Sequence, residues 1–155
     1  MMDTAEQRLQ ALGITLPAAP APVAVYRPWV IAGDLLFVSG QLPIADGSLR
    51  FTGKVGRDMD ADQGREAARV AAINGLAQVR AALGSLDGII QCVKLTGFVN
   101  SAAGFTAQPA VLNGASELLA EVFGDAGLHA RAAVGVSELP LDAAVEIEFI
   151  FQISV

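Results

Sequence analysis

The run Val145-Glu-Ile-Glu-Phe-Ile-Phe-Gln-Ile153 constrains this chain more than any other segment. Its residues alternate strictly. Val145, Ile147, Phe149, Phe151 and Ile153 fall on one face, and Glu146 and Glu148 on the other. Period-two alternation of this kind specifies a strand with one dry face that the rest of the chain must cover. Just upstream, His129 to Val136 alternates too, and Leu139-Pro140-Leu141-Asp142 reads as a turn between the two runs. Read together, they form a terminal hairpin. Val134 and Val136 then join the apolar face. Arg131, Ala133 and Gly135 share the second face with Glu146 and Glu148. One arginine and two glutamates among residues with little side chain leave room for a small polar molecule.

The remaining elements follow from punctuation. Asp3 to Leu12 reads as a helix, with Asp3 and Glu6 spaced as a capping box and Gly13 at its C-terminal end. Pro17, Pro20 and Pro22 force an extended connector, so residues 1–22 read as an arm on a single body formed by residues 23–155. A first strand is expected over Val23–Val30, interrupted at Pro28, and a second over Leu35–Gln41. Ala45-Asp46-Gly47-Ser48 signals a hairpin turn. Asp60 to Leu83 is the best helix, capped by Asp60, rich in small residues and stopped by Gly84. Ile89–Val99 is a third long strand, and a second long helix starts near Pro109 and ends at Gly124. The order arm, β, β, α, β, α, β, β predicts an α+β fold: a mixed sheet of about five strands with two helices on one face.

Bulk properties narrow the function. Charged residues make up only 17% of the 155 residues and hydrophobic ones 53%. So little charge implies that part of the surface is buried in an oligomer. A net charge of −6 with scattered basic residues argues against nucleic acid as partner. No apolar run is long enough to span a membrane, and residues 1–16 do not read as a signal peptide. One cysteine, Cys92, and one histidine, His129, make a His/Cys metal site unexpected. Cys92 fits a reducing, cytoplasmic setting. No cofactor is called for.

Several segments together resemble the Rid family of reactive intermediate deaminases, also called YjgF or L-PSP endoribonuclease-like. They are Val38-Ser39-Gly40-Gln41-Leu42-Pro43, the helix with Ala67-Ala68 and Asn74, and Lys94-Leu-Thr-Gly-Phe-Val99. The clearest is Ala130-Arg131 followed by Val134, Val136, Leu139-Pro140 and Val145-Glu146-Ile147-Glu148. The similarity runs from about Ala21 to the C-terminus. It implies a chorismate-mutase-like ββαβαββ fold and a homotrimer in which three sheets enclose a barrel with sites in the subunit clefts. It also implies hydrolysis of amino-acid-derived enamines or imines to 2-keto acids and ammonia, so the expected partner is a small carboxylate-bearing imine or 2-keto acid. The carboxylate-gripping arginine falls on Arg131 and the water-associated glutamate on Glu146. The strand serine falls on Ser39 with Gly40 beside it, the N-terminal tyrosine on Tyr26, and a helix asparagine on Asn113. The chain departs from the archetype in a longer Gly104–Pro109 region, in Ala133 where cysteine is common, and in the added arm. It resembles a divergent branch.

The residues carry their own chemistry. A guanidinium fork matches a carboxylate in two bonds, though Arg131 could instead pair with Glu146 or Glu148. Glu146 could serve as a general base on water or pass a proton to a departing amine, with Glu148 as its rival. Ser39 has no histidine in sequence reach, and its hydroxyl could equally be satisfied by backbone. Tyr26 could close a pocket or sit at an interface. His129 reads as structural, Cys92 as inert core, and Lys54 as a weak site candidate. If the hairpin turns around Leu141, Arg131 lies opposite residue 151 and Glu146 is displaced by ~16 Å at ~3.3 Å per residue. They could not share a small substrate within one chain, so the expectation is that Arg131 of one subunit meets Glu146 of its neighbour. The competing expectation is a module that binds a small carboxylate without turnover.

Overall fold

The computed structural model describes residues 3–22 and 24–155. Three α-helices and seven strands follow in the order α1 (Ala5–Ala11), β1 (Trp29–Ala32), β2 (Leu35–Gln41), β3 (Ile44–Ala45), β4 (Ser48–Leu49), α2 (Ala61–Leu83), β5 (Ile89–Asn100), α3 (Gln108–Phe123), β6 (Ala130–Val136) and β7 (Val145–Ile153). Five strands form one mixed sheet in the order β1-β2-β7-β5-β6, and β3 and β4 make a small separate hairpin. The architecture is the expected α+β arrangement.

Local chemistry sets the element ends. Asp60 accepts from the Gln63 amide while the Gln63 side chain accepts from the Asp60 amide, closing a capping box at the start of α2. Gly84 stops that helix at φ 81°. The cap of α1 is Thr4 with Gln7, one residue later than the Asp3–Glu6 pair expected from sequence. Asp46 and Gly47, both at positive φ, turn the β3–β4 hairpin. The first strand begins only at Trp29, because Pro28 precedes it; Val23 lies outside the described residues.

Long helices α2 and α3 pack side by side on one sheet face, and their small residues set the spacing. A Cβ on Gly97 of β5 would lie 1.9 Å from Leu112 Cδ1, and one on Gly114 of α3 would lie 2.0 Å from the Arg65 carbonyl oxygen. Leu36, Val38, Leu95, Ile147, Phe149 and Phe151 fill the space between sheet and helices. The arm is docked rather than loose. Leu9 and Leu16 are buried, Glu6 pairs with Arg80, and Gln78 Nε2 donates to the Pro20 carbonyl at 2.8 Å. The opposite sheet face is open and carries exposed Val30, Phe37 and Val134.

One expectation fails. The last two strands are not a hairpin. β5 inserts between them, pairing parallel with β6 and antiparallel with β7, so β6 is an edge strand. The segment from Ser137 to Ala144 therefore crosses over β5 instead of making a tight turn.

Candidate functional site

Register places each predicted site residue. Leu95 pairs with both Arg131 and Phe149, and Phe98 pairs with both Val134 and Glu146. Residues paired on one rung share a face. Arg131 therefore lies on the helix face with buried Leu95, and Glu146 on the open face with exposed Val134. The sequence reading put Arg131 and Glu146 on one face, and the inserted β5 inverts that assignment for β6. Along the ladder the two lie three rungs apart, or ~10 Å, with two strand spacings of ~4.8 Å between their strands. They do not meet within the chain.

The six predicted site residues fall into two clusters. Tyr26, Ser39, Gly40 and Glu146 line one cleft of about 620 Å³ together with Leu42, Pro140 and Leu141. It forms where the β2–β7 register breaks between Val38 and Gln41. That irregularity, a bulge-like device for re-aiming side chains, brings Gly40 under the Glu146 carboxylate. A Cβ at Gly40 would sit 2.5 Å from Glu146 Oε1, so only glycine leaves the carboxylate its place. Leu141 forms part of the wall at φ 58°, ψ 19°, a left-handed conformation that is costly for leucine. Ser39 Oγ donates to the Arg27 carbonyl at 2.7 Å, so its hydroxyl proton is committed and only its lone pairs face the cleft.

Burial raises the Glu146 pKa above the usual carboxylate value, and the like charge of Glu148 raises it further. Glu148 itself is exposed and lines a separate groove with Val30 and Phe37. Of the two glutamates, Glu146 lines the cleft with Tyr26, Ser39 and Gly40, and Glu148 does not.

Arg131 and Asn113 form the second cluster. Arg131 Nη1 donates to Asn113 Oδ1 at 2.9 Å and to Ser116 Oγ at 3.1 Å. Both acceptors lie on α3, one helical turn apart. They hold the guanidinium through a single nitrogen, which leaves the Nε and Nη2 edge for a bidentate carboxylate. Asn113 is thus a positioning residue for Arg131. His129, read from sequence as structural, joins this cluster: its Nε2 lies 3.0 Å from Ser116 Oγ and its Nδ1 lies 2.7 Å from the Gly127 carbonyl. Sequence reasoning missed Ser116 altogether. The signal was present in the Asn113–Ser116 helical spacing and the His129–Arg131 strand spacing, but it needs the knowledge that β6 faces α3.

Lys54 does not enter either cluster. Its ammonium is held by Asn100 Oδ1 at 2.8 Å, by the Ser137 carbonyl and by Glu138 at 3.6 Å, a brace for the crossover. Burial pushes the Cys92 thiol up to about 12, consistent with inert core. No described helix is long and apolar enough to cross a membrane.

Residues 6–152 match the family model described as "YjgF/chorismate_mutase-like, putative endoribonuclease". The chain belongs to this family. It is similar to Protein TCP17 of Trypanosoma cruzi, 48% identical over 147 residues that cover 94% of this chain and 92% of that one. The crystal structure of the Agrobacterium tumefaciens protein Atu1372, of unknown function, is 51% identical with a TM-score of 0.91, covering 97% of this chain and 92% of that one. Escherichia coli TdcF, crystallised with bound serine, is more distant: 25% identical, TM-score 0.63, covering 88% of this chain and 94% of that one. The fold is the chorismate-mutase-like one that the sequence resemblance implied.

Proposed function

We propose that this chain hydrolyses enamine or imine intermediates of amino acids to 2-keto acids and ammonia, in a cleft shared between copies of a homotrimer. The observation that carries this reading is the division of the site. A cleft with a half-buried carboxylate but no cation in its wall lies at β2 and β7. A guanidinium with a free edge lies on edge strand β6. Two complementary half-sites far apart on one chain call for head-to-tail association, which closes into a ring. Exposed Val30, Phe37 and Val134 supply an apolar face for it.

In the joined site, Arg131 of one copy grips the substrate carboxylate. Glu146 of the next exchanges a proton with water or with the departing nitrogen. Gly40 gives that carboxylate room, Ser39 accepts a hydrogen bond, and Tyr26 closes the mouth. An imine carbon is already electrophilic, so positioning and proton transfer suffice. The TdcF complex with serine supports a ligand of amino-acid size in this family. A net charge of −6 weighs against the ribonuclease reading of the family's older name.

The test is to generate 2-iminobutanoate in situ and follow its loss with and without protein. Acceleration that disappears in Arg131→Ala supports the reading. No acceleration, alongside retained binding of 2-oxobutanoate, replaces it with non-catalytic binding of a small carboxylate.

A further inference from the structure

The arm builds a second cavity beside the Glu146 cleft. Pro20, Ala21 and Pro22 of the arm wall a recess of about 100 Å³ together with Pro28 and Ile44 of the body. Gln78 fixes that wall: it is 1% exposed, and its Nε2 donates to the Pro20 carbonyl at 2.8 Å. Gln41, also in the lining, turns its Nε2 to the Ser39 carbonyl at 2.9 Å. Both amide donors are committed to backbone, and the described lining carries no charged residue, so the recess is mainly hydrocarbon. Tyr26, Gly40, Leu42 and Leu141 line the recess and the cleft alike. Tyr26 and Leu141 are exposed and Gly40 has no side chain, so the shared boundary is an open rim and not a sealed wall. A second groove adjoining the cleft shares only Ser39 with it and holds the exposed Glu148 carboxylate, which an apolar chain would strip of water.

We propose that the arm-walled recess is the side-chain subsite of the cleft, and that it selects 2-imino acids with branched aliphatic side chains; this rests on the shared-cleft deaminase reading. C2 of a 2-imino acid is trigonal and sends its carboxylate, its nitrogen and its side chain in three divergent directions. Arg131 of the neighbouring copy takes the first, and Glu146 serves the second. The third leaves the cleft over the rim at Gly40 and enters the recess. A dry apolar cavity of ~150 Å³ holds a benzene ring, so about 100 Å³ suits a side chain of about four carbons. The ethyl group of 2-iminobutanoate would leave much of the recess unfilled. A charged side chain would lose its hydration there and find no partner.

The experiment generates 2-iminobutanoate and the leucine-derived 4-methyl-2-iminopentanoate in situ with an amino-acid oxidase and catalase, and compares kcat/KM on the full chain. Binding of 2-oxobutanoate and 4-methyl-2-oxopentanoate is measured alongside. Wild type should favour the longer chain by about tenfold or more, mainly through KM. Ala21→Leu fills the recess from the exposed arm and should cut that ratio by about tenfold. Ile44→Ala widens the recess and should shift preference toward the larger phenylalanine-derived imine. An active wild type that treats the two chains alike, or a preference that survives Ala21→Leu, overturns the subsite and leaves the deaminase reading standing. A wild type that turns over neither imine overturns the deaminase reading, and the oxoacid pair then decides the subsite. It stands if the longer acid binds more tightly and Ala21→Leu removes the difference, and it falls if the two bind alike.

Discussion

The carboxylate of Glu146 rests over the bare Cα of Gly40, in a space that a single methyl group at Gly40 would take, 2.5 Å from Oε1. The atom displaced by such a methyl is the far end of a flexible side chain, in an open cleft. Gly40→Ala should therefore fold normally but tip Glu146 out of place. Activity on 2-iminobutanoate should drop by about tenfold or more, while the thermal midpoint shifts little. Parallel kinetics and thermal unfolding of the variant check this.

Glu146 also links the cleft to stability. Its folded pKa is raised, first by burial and then by Glu148, so the folded state binds the proton more tightly than the unfolded chain does. The resulting stability is present at acid pH and is lost as pH rises through the folded pKa. Glu146→Gln removes the cost of the buried charge. The variant should melt higher than wild type at pH 7.5 and show no such gain at pH 4. Thermal scans at the two pH values test the sign.

The arm should answer to pH in the opposite sense. Burial raises the Glu6 pKa, but hydrogen bonds from Arg80, the Leu86 amide and Ser85, with the Arg80 charge, more than offset it and the net shift is downward. Its contribution is present above the unfolded carboxylate pKa and disappears as pH falls through the lowered one. At neutral pH, Glu6→Gln should loosen α1 from α2, speeding proteolysis near residues 13–22 while the body stays intact. Limited proteolysis followed by mass spectrometry reads the cut sites.

Cys92 should be silent. Buried in β5 with a thiol pushed up to about 12, it should resist thiol reagents in the native protein. It should react fully once denaturant unfolds the chain. Titration with a chromogenic disulfide before and after denaturation gives the comparison.

Much of this was legible in the residues. Capping at Asp60, the stop at Gly84 and the Asp46-Gly47 turn are local signals, and each holds in the structure. Strand β7 declared itself through alternation. The pairing of β6 did not, because an alternating strand says which residues share a face but not which strand lies beside it. Placing β6 beside β7 put Arg131 on the wrong face and hid its contacts with Asn113 and Ser116. The separation of Arg131 from Glu146 was anticipated, but from a ladder count on a hairpin that does not exist. The separation comes instead from opposite faces and an intervening strand. Gly40 was picked out by resemblance alone, and only the β2–β7 irregularity explains why it must be glycine.

Complementation between inactive chains tests the shared cleft most directly. Arg131→Ala and Glu146→Gln chains are each purified, shown to be inactive, then unfolded together and refolded as mixed oligomers. If each cleft takes its arginine from one copy and its glutamate from the next, equal mixing leaves both wild-type groups in about one cleft in four. The mixture should then recover roughly a quarter of wild-type deaminase activity, while each variant refolded alone stays inactive. Mixed oligomers with no recovered activity would contradict the division of the site between copies.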